Sequence, residues 1–277
     1  MPVTTWIRPP DQRHAAAQSF RRVARVLLAM AAGAVLGVAV AHLSQASDQL
    51  PGIIGSDDRQ PIASSILPWS AIGRVNRESG GFCTGVLIAP DKALTAAHCL
   101  WNSRAQRWLP PDALHFVAGW RGGTYKQHAR ATGFKIQPGL SFSSRGKPNH
   151  IADDWAIIEL DRPIGAMVGF VSLATTEEGL ATKQRGGQPV LYTAAYSADR
   201  PNLLHRHAKC SPHAAILKGP LLMHDCDLTF GASGAPILIQ VGDGYRVVAI
   251  QVAVVRNATH ERGIAVIPRI DQILAAR

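Results

Sequence analysis

The stretch Asp225-Cys226-Asp227-Leu228-Thr229-Phe230-Gly231-Ala232-Ser233-Gly234-Ala235-Pro236 decides how the rest of the chain is read. Its serine stands among small residues, with Gly231 two positions before it and Gly234 directly after. Glycine accepts positive φ and lets another backbone or a ligand come close. A hydroxyl displayed on such a turn, beside free backbone N–H groups, can attack a carbonyl carbon while those amides hold the oxyanion that forms. Taken alone, Gly-Ala-Ser-Gly is also an ordinary tight turn. A base and an orienting carboxylate must therefore be sought elsewhere.

Both occur upstream. Thr95-Ala96-Ala97-His98-Cys99 supplies an imidazole, and Asp153-Asp154-Trp155-Ala156-Ile157-Ile158 supplies a carboxylate at the head of an apolar run. The chain order His98, Asp154, Ser233 is one in which Ser-His-Asp triads are built. The order used by α/β-hydrolases, Ser233 then Asp243 then His260, leaves too little chain after the serine for the elements that fold still needs. On these three motifs the chain resembles the trypsin/chymotrypsin-fold serine proteases. In addition, Ile53-Ile54-Gly55-Ser56-Asp57-Asp58-Arg59 is similar to the mature start of bacterial glutamyl endopeptidases, a branch of the same fold.

Composition agrees with a β protein. The 277 residues are 47% hydrophobic and 17% charged, enough for one large core or two small ones. Only 6% are aromatic, while glycine and proline number 25 and 18, which fits a turn-rich sheet protein better than a helical bundle. Of the formal net charge of +10, residues 1–46 supply +4 through five arginines against one aspartate, leaving a modest +6. No Lys/Arg block with interleaved aromatics occurs, so nucleic acid is not an expected partner. An uncharged apolar run from Val26 to Ala41 follows Arg25, short for a bilayer span and of the length of a secretory signal. The rival reading is a retained membrane anchor. Either one exports the remainder, as a periplasmic or secreted domain.

The resemblance implies an all-β fold of two antiparallel six-stranded β-barrels packed at a seam, with a short C-terminal helix. Residues 1–46 are then a signal peptide or N-terminal membrane anchor, and 47–52 a short pro-segment or linker. Residues 53–160 form the first barrel, 161–187 the interbarrel linker, and 188–277 the second barrel and helix. Cys83-Thr84-Gly85-Val86-Leu87-Ile88 and Ala93–Ala97 read as a hairpin around Pro90-Asp91 that delivers His98, and Asn102–Asp112 reads as loop. In the second half, strands are expected over Pro189–Ser197, Ala214–Leu217, Leu221–Asp225, Pro236–Val241, Tyr245–Val255 and Gly263–Ile267.

The roles carried over are equally definite. His98 is the base, Asp154 its orienting partner (Asp153 being the alternative), Ser233 the nucleophile, and the amides of Gly231 and Ser233 the oxyanion hole. The family pairs the cysteines equivalent to Cys83 and Cys99, which leaves Cys210 for Cys226. Each bridge closes a loop of about 15 residues, worth roughly 3 kcal/mol in the chain-entropy model. No metal or cofactor is implied, the expected partner is a protein or peptide substrate, and a membrane is met only through a retained N-terminal segment.

Two departures stand out. Trypsin-like enzymes usually carry an acidic residue directly before the serine, to pair with a newly freed N-terminal amine; here it is Ala232, so activity is expected not to depend on that pair. Asp227, six positions before Ser233, stands where those enzymes place the carboxylate at the base of the specificity pocket, which favours Arg or Lys substrates. The likeness around Ile53 points to acidic substrates instead, and Asp227 also reads as a turn residue beside Cys226. Ala249-Ile250-Gln251-Val252-Ala253 lacks the Gly and Ser of the usual substrate-binding strand. That leaves two alternatives to an endopeptidase: a binding or regulatory protein on a protease scaffold, or a zinc protein using His205, His207, Cys210, His213, His224 and Cys226.

Overall fold

Alternation and turn chemistry set the first half of the chain. In β3 (Phe82–Ala89) and β4 (Lys92–Thr95), Val86, Leu87, Ala93 and Leu94 are fully buried, and the turn at Pro90-Asp91 folds the strands antiparallel with Val86 opposite Leu94. The structure, a computed structural model, describes residues 50–175, 190–213, 220–256 and 261–267. With β2 (Ile72–Arg77), β7 (Leu114–Ala118), β8 (Gln127–Ile136) and β9 (Ala156–Leu160), these strands close into a barrel in the order β2-β3-β4-β9-β8-β7. Closure runs from Gly73 opposite Ala118 to Arg77 opposite Leu114. It removes the unpaired edges an open sheet would present. Phe116, Val86, Leu94 and Ile158 belong to one buried apolar cluster. Each such side chain contributes about 1.5–3 kcal/mol of transfer free energy.

The stretch expected to be loop after His98 holds a small sheet. β5 (Trp101–Asn102) pairs with β6 (Arg107–Trp108), and Trp101 packs edge-on to Trp108 at 5.2 Å and on Phe142 at 5.3 Å. Two-residue strands carry no periodicity; their aromatic contacts are what hold them.

The second half differs from the expectation in three ways. Its sheet has seven strands in the order β1-β11-β10-β13-β14-β15-β12. These are β1 (Gln60–Pro61), β10 (Leu191–Ser197), β11 (Arg200–Cys210), β12 (Leu221–His224), β13 (Pro236–Val241), β14 (Gly244–Arg256) and β15 (Glu261–Val266). First, the expected second barrel is formed by the six strands from β11 to β12, and beyond β11 it is joined to β12 by the Pro212–His224 bridge, by His213 N donating to Met223 O and by the Cys210–Cys226 disulfide rather than by a full ladder among the described residues. Second, β1 adds an edge strand, where its proline costs no ladder bond. Third, β11 runs through a stretch in which no strand was expected. Arg200, Pro201, His205, Arg206, His207 and Lys209 break the apolar alternation, and pairing with β10 overrides the local composition.

A four-residue helix, α1 (Gly165–Val168), lies in the expected linker and packs on Ala89 and Pro90. The expected strand over Ala214–Leu217, the C-terminal helix and the apolar run from Val26 to Ala41 lie outside the described residues. Among the described residues, no helix is long and apolar enough to cross a membrane.

The segment entering β1 is pinned electrostatically. Arg59, whose side chain is 2% exposed, forks onto Asp57 (2.9 Å from Nε and from Nη2) and onto Asp199 (3.1 Å from Nη1, 2.7 Å from Nη2). Asp199 sits in the β10–β11 turn, so one guanidinium joins the start of the folded unit to that hairpin. The hydrogen bonds to Arg59 lower the Asp57 pKa from 3.8 to about 2, against the opposing effect of partial burial. Because the folded value lies below the unfolded one, ionised Asp57 stabilises the fold above the ordinary carboxylate range. That contribution disappears as pH falls toward about 2. Asp57→Asn is therefore expected to lower stability at neutral pH and to flatten the acid limb below pH 3.8, read by denaturant unfolding at a series of pH values.

Candidate active site

The serine turn is built by its own backbone bonds. Ala232 N donates to Thr229 O (3.0 Å), Ala235 N to Ala232 O (2.9 Å) and Gly234 N to Gln251 O (2.7 Å). Gly234 has φ +81°, and a Cβ there would lie 2.2 Å from Thr95 Oγ1 and 2.3 Å from Thr84 O. Only glycine lets the turn seat so closely on the first barrel. Two amides in this turn are unspent. Neither Gly231 N nor Ser233 N donates to any group among the described residues, while Ala232, Gly234 and Ala235 all do. They are the pair expected to hold an oxyanion.

Topology brings His98 and Asp154 together. β4 and β9 are antiparallel neighbours with Thr95 opposite Ala156. His98, in the 3-10 turn Ala97–Leu100 just after β4, and Asp154, just before β9, thus emerge at the same end of the strand pair. Asp154 Oδ2 lies 2.7 Å from His98 Nδ1, and Asp154 Oδ1 accepts the His98 backbone N–H at 2.8 Å. The carboxylate side chain is 2% exposed and the imidazole 25%. Since a carboxylate only accepts, it directs the ring proton to Nδ1 and leaves Nε2 as the basic nitrogen. It is Asp154, and not the adjacent Asp153, that makes these bonds.

The serine comes to this pair from the other half of the sequence. Thr84 N donates to Ser233 O at 2.9 Å, and Cys99 Sγ, next in sequence to His98, lies 3.9 Å from the same oxygen. The Cys83–Cys99 disulfide, at an S–S distance of 2.06 Å, staples the His98 turn to β3. The Ser233 hydroxyl itself makes no hydrogen bond among the described residues. Catalytic hydrogen bonds of this kind are often loose before substrate arrives.

Sequence reasoning missed Thr84, which it read only as part of a strand. Thr84 is fully buried, and its Oγ1 lies 3.0 Å from Gly231 O, 3.2 Å from Tyr196 O and 3.1 Å from the Tyr196 N–H that it accepts. Thr95 Oγ1 donates to Thr84 O at 2.8 Å.

Asp227 has a different set of partners from the one its position suggests. It is 1% exposed, with Oδ1 accepting Ile54 N (2.7 Å) and Oδ2 accepting Asp58 N (2.9 Å), while His207 Nδ1 lies 3.4 Å from Oδ2. Burial raises its pKa, opposed by these two amides and by His207. With an amide on each oxygen and its side chain fully buried, the carboxylate anchors the incoming segment. Gly52 extends that anchorage. Its carbonyl accepts Leu228 N at 2.9 Å, and its own N–H donates to Glu261 Oε1 at 2.7 Å. Ile53 is 4% exposed and its N–H donates to Leu50 O.

The His/Cys-rich region also resolves differently from a zinc site. Cys210 and Cys226 form a disulfide, so neither is a thiolate ligand. His224 is fully buried, its Nε2 paired with Gln251 Oε1 at 2.7 Å and its Nδ1 accepting Cys226 N at 3.2 Å; burial pushes its pKa down to about 4. Asp58, His207 and Asp227 do bring three ligand-type atoms within 4.8 Å of one another, but the Asp227 oxygens are already committed to amides.

Removing the Thr84 hydroxyl by Thr84→Val leaves the Tyr196 amide without its acceptor and takes the single hydroxyl proton from the carbonyls of Gly231 and Tyr196 that share it. The expected cost is about 1–3 kcal/mol in denaturant unfolding, and a loss below about 0.5 kcal/mol, the range of a neutral surface change, would refute the role given to this residue.

Comparison with known proteins agrees with this geometry. The chain matches the Trypsin family model over residues 53–274. A glutamyl endopeptidase of Bacillus licheniformis is 28% identical over 202 residues, 71% of this chain and 58% of that protein. Coagulation factor IX of Cavia porcellus is 28% identical over 118 residues, 43% of this chain and 37% of that protein. The chain thus spans less than two thirds of the length of these relatives. A solved structure of Glu endopeptidase in complex with MPD shares the fold, with a TM-score of 0.65 at 22% identity, covering 81% of this chain and 98% of that one. Over residues 53–274, the chain belongs to the trypsin family.

Proposed function

We propose that the protein is an exported serine endopeptidase that cleaves peptide bonds through an acyl-enzyme on Ser233. His98 Nε2 takes the hydroxyl proton as Ser233 Oγ attacks the scissile carbonyl carbon, and returns it to the departing amine. Water, activated by the same nitrogen, then releases the acyl group. Asp154 fixes the imidazole and stabilises it when charged. The amides of Gly231 and Ser233 receive the oxyanion; such a donor is worth about 100–1000-fold in rate.

The observation that carries this reading is the His98–Asp154 pair at 2.7 Å beside a serine turn whose two amides are unspent. Two disulfides fit export to an oxidising compartment. For specificity we favour cleavage after acidic residues. The glutamyl endopeptidase relative supports that choice, and the engagement of Asp227 with Ile54 and Asp58 argues against a basic pocket.

A fluorophosphonate probe is expected to label the protein, and Ser233→Ala to abolish labelling. Absence of labelling on the folded protein would favour instead a non-catalytic binding or regulatory role on the same scaffold. Asp154→Asn is expected to lower kcat by roughly 10⁴-fold, through the wrong imidazole tautomer. Paired peptides differing only in Glu or Arg before the scissile bond test the specificity, and a preference for Arg would overturn it.

A further inference from the structure

One cation beside the serine turn has no part in the proposed reaction. Arg74, on β2, stands opposite Thr84 of β3, and Asn76 stands opposite Phe82. Cross-strand partners share a face of the sheet. That face meets the serine turn: Thr84 Oγ1 lies 3.0 Å from Gly231 O, and a Cβ on Gly231 would come within 2.9 Å of Phe82 Cε2. The Arg74 guanidinium carbon lies 3.9 Å from the centre of the Phe82 ring and 4.9 Å from that of Trp120. We infer that Arg74 is a specificity residue, receiving the carboxylate of an acidic side chain in the part of the substrate that departs first. The inference deepens the endopeptidase reading and rests on it.

Three features of this guanidinium point to an anion. The first is the missing counter-charge. Nε donates to Asn76 Oδ1 at 3.1 Å and Nη1 to Pro201 O at 3.2 Å, both uncharged acceptors, and no carboxylate pairs with Arg74 among the described residues. The acids closest in sequence to these groups, Asp199 and Glu78, are engaged by Arg59 and His115. An arginine stays charged, and aromatic faces attract a cation without neutralising it. The second is access. Nη2 makes no hydrogen bond among the described residues, and it is not one of the polar atoms that are both buried and unpartnered. Arg74, Phe82 and Trp120 are all half-buried, so the group reaches the surface. The third is a preset fork. Held on Asn76 and Pro201 and flanked by two rings, the guanidinium keeps one N–H of Nη1 and both of Nη2 for the two oxygens of a carboxylate.

The side of the scissile bond follows from the proposed proton path. His98 Nε2 hands its proton to the departing amine, so that segment leaves past the His98 turn. Cys99 in this turn is bonded to Cys83, the neighbour of Phe82. A segment on this course runs over Phe82 toward Arg74. An extended chain advances about 3.3 Å per residue, which places the acidic residue among the first three beyond the scissile bond.

The test uses internally quenched peptides, amidated so that no terminal carboxylate competes. Each has Glu before the scissile bond and either Asp or Asn at the first, second or third position after it, with product masses identifying the bond cut. On the full-length protein, Asp is expected to raise kcat/KM roughly tenfold over Asn at one of these positions. Arg74→Gln should bring that ratio near one. Arg74→Lys, which keeps the charge and loses the fork, should leave part of it. Each ratio is taken on a single preparation, so a loss of folded protein does not alter it. Arg104→Gln, on an exposed turn of the same barrel, should leave the ratio intact. The same peptide pairs titrated into Ser233→Ala, followed by fluorescence anisotropy, separate this inference from the reaction. Arg74-dependent preference for Asp in binding, with no cleavage by the unaltered chain, would sink the endopeptidase reading and keep Arg74 as a carboxylate site. A ratio near one at all three positions in both assays, or one that survives Arg74→Gln and Arg74→Lys alike, would overturn the inference.

Discussion

Thr84 is where the Ser233 turn is fastened to the barrel that carries His98. The residue is fully buried and bonded in several directions, to the Ser233 carbonyl, to Gly231 and Tyr196, and to Thr95. Thr95 stands three residues before His98, so one side chain and its backbone set the Ser233 turn relative to the His98 turn. Gly234 adds the second half of the constraint by admitting Thr95 Oγ1 and Thr84 O into the space a side chain would fill. The geometry of the site is thus a packing result before it is an electrostatic one. The role proposed for the His98–Asp154 pair rests on this seam holding the Ser233 turn in place.

Much of this was legible from the chain, for a physical reason. Catalytic groups must sit on short, chemically distinctive motifs, and Thr95–Cys99, Asp154–Ile158 and Gly231–Ser233 each announce their residue types. In the structure Asp154, and not Asp153, bonds His98, because the start of β9 lies beside the end of β4. What stayed hidden depended on partners distant in sequence. β11 defeats alternation because its histidines and arginines are paired by β10 rather than selected by burial. Asp227 looked like a pocket residue because its position is visible and its backbone partners, Ile54 and Asp58, are not. Thr84 is a strand residue in any one-dimensional reading. Its role exists only once Tyr196 and Gly231 arrive beside it.

The start of the folded unit is held by two contrasting devices. Asp57 and Asp199 share Arg59 through paired forks, a charged latch sensitive to acid. A few residues either side, the hold is mostly by backbone groups: Gly52 with Leu228, Ile54 and Asp58 with Asp227. Amide–carboxylate bonds inside the protein lose little to salt, whereas the latch, with Arg59 buried but Asp57 and Asp199 28% and 21% exposed, loses more.

The anchorage of Ile54 by an internal aspartate reaches beyond stability. Trypsin-like zymogens are resemblance's model of a safety catch: a cut releases a charged terminus, and the terminus arms the site. A segment tied down by its interior amides needs no such cut to be seated. The seat of this segment in the full chain is set by the Asp227 carboxylate, so whatever shifts that one side chain shifts residues 54–58 with it.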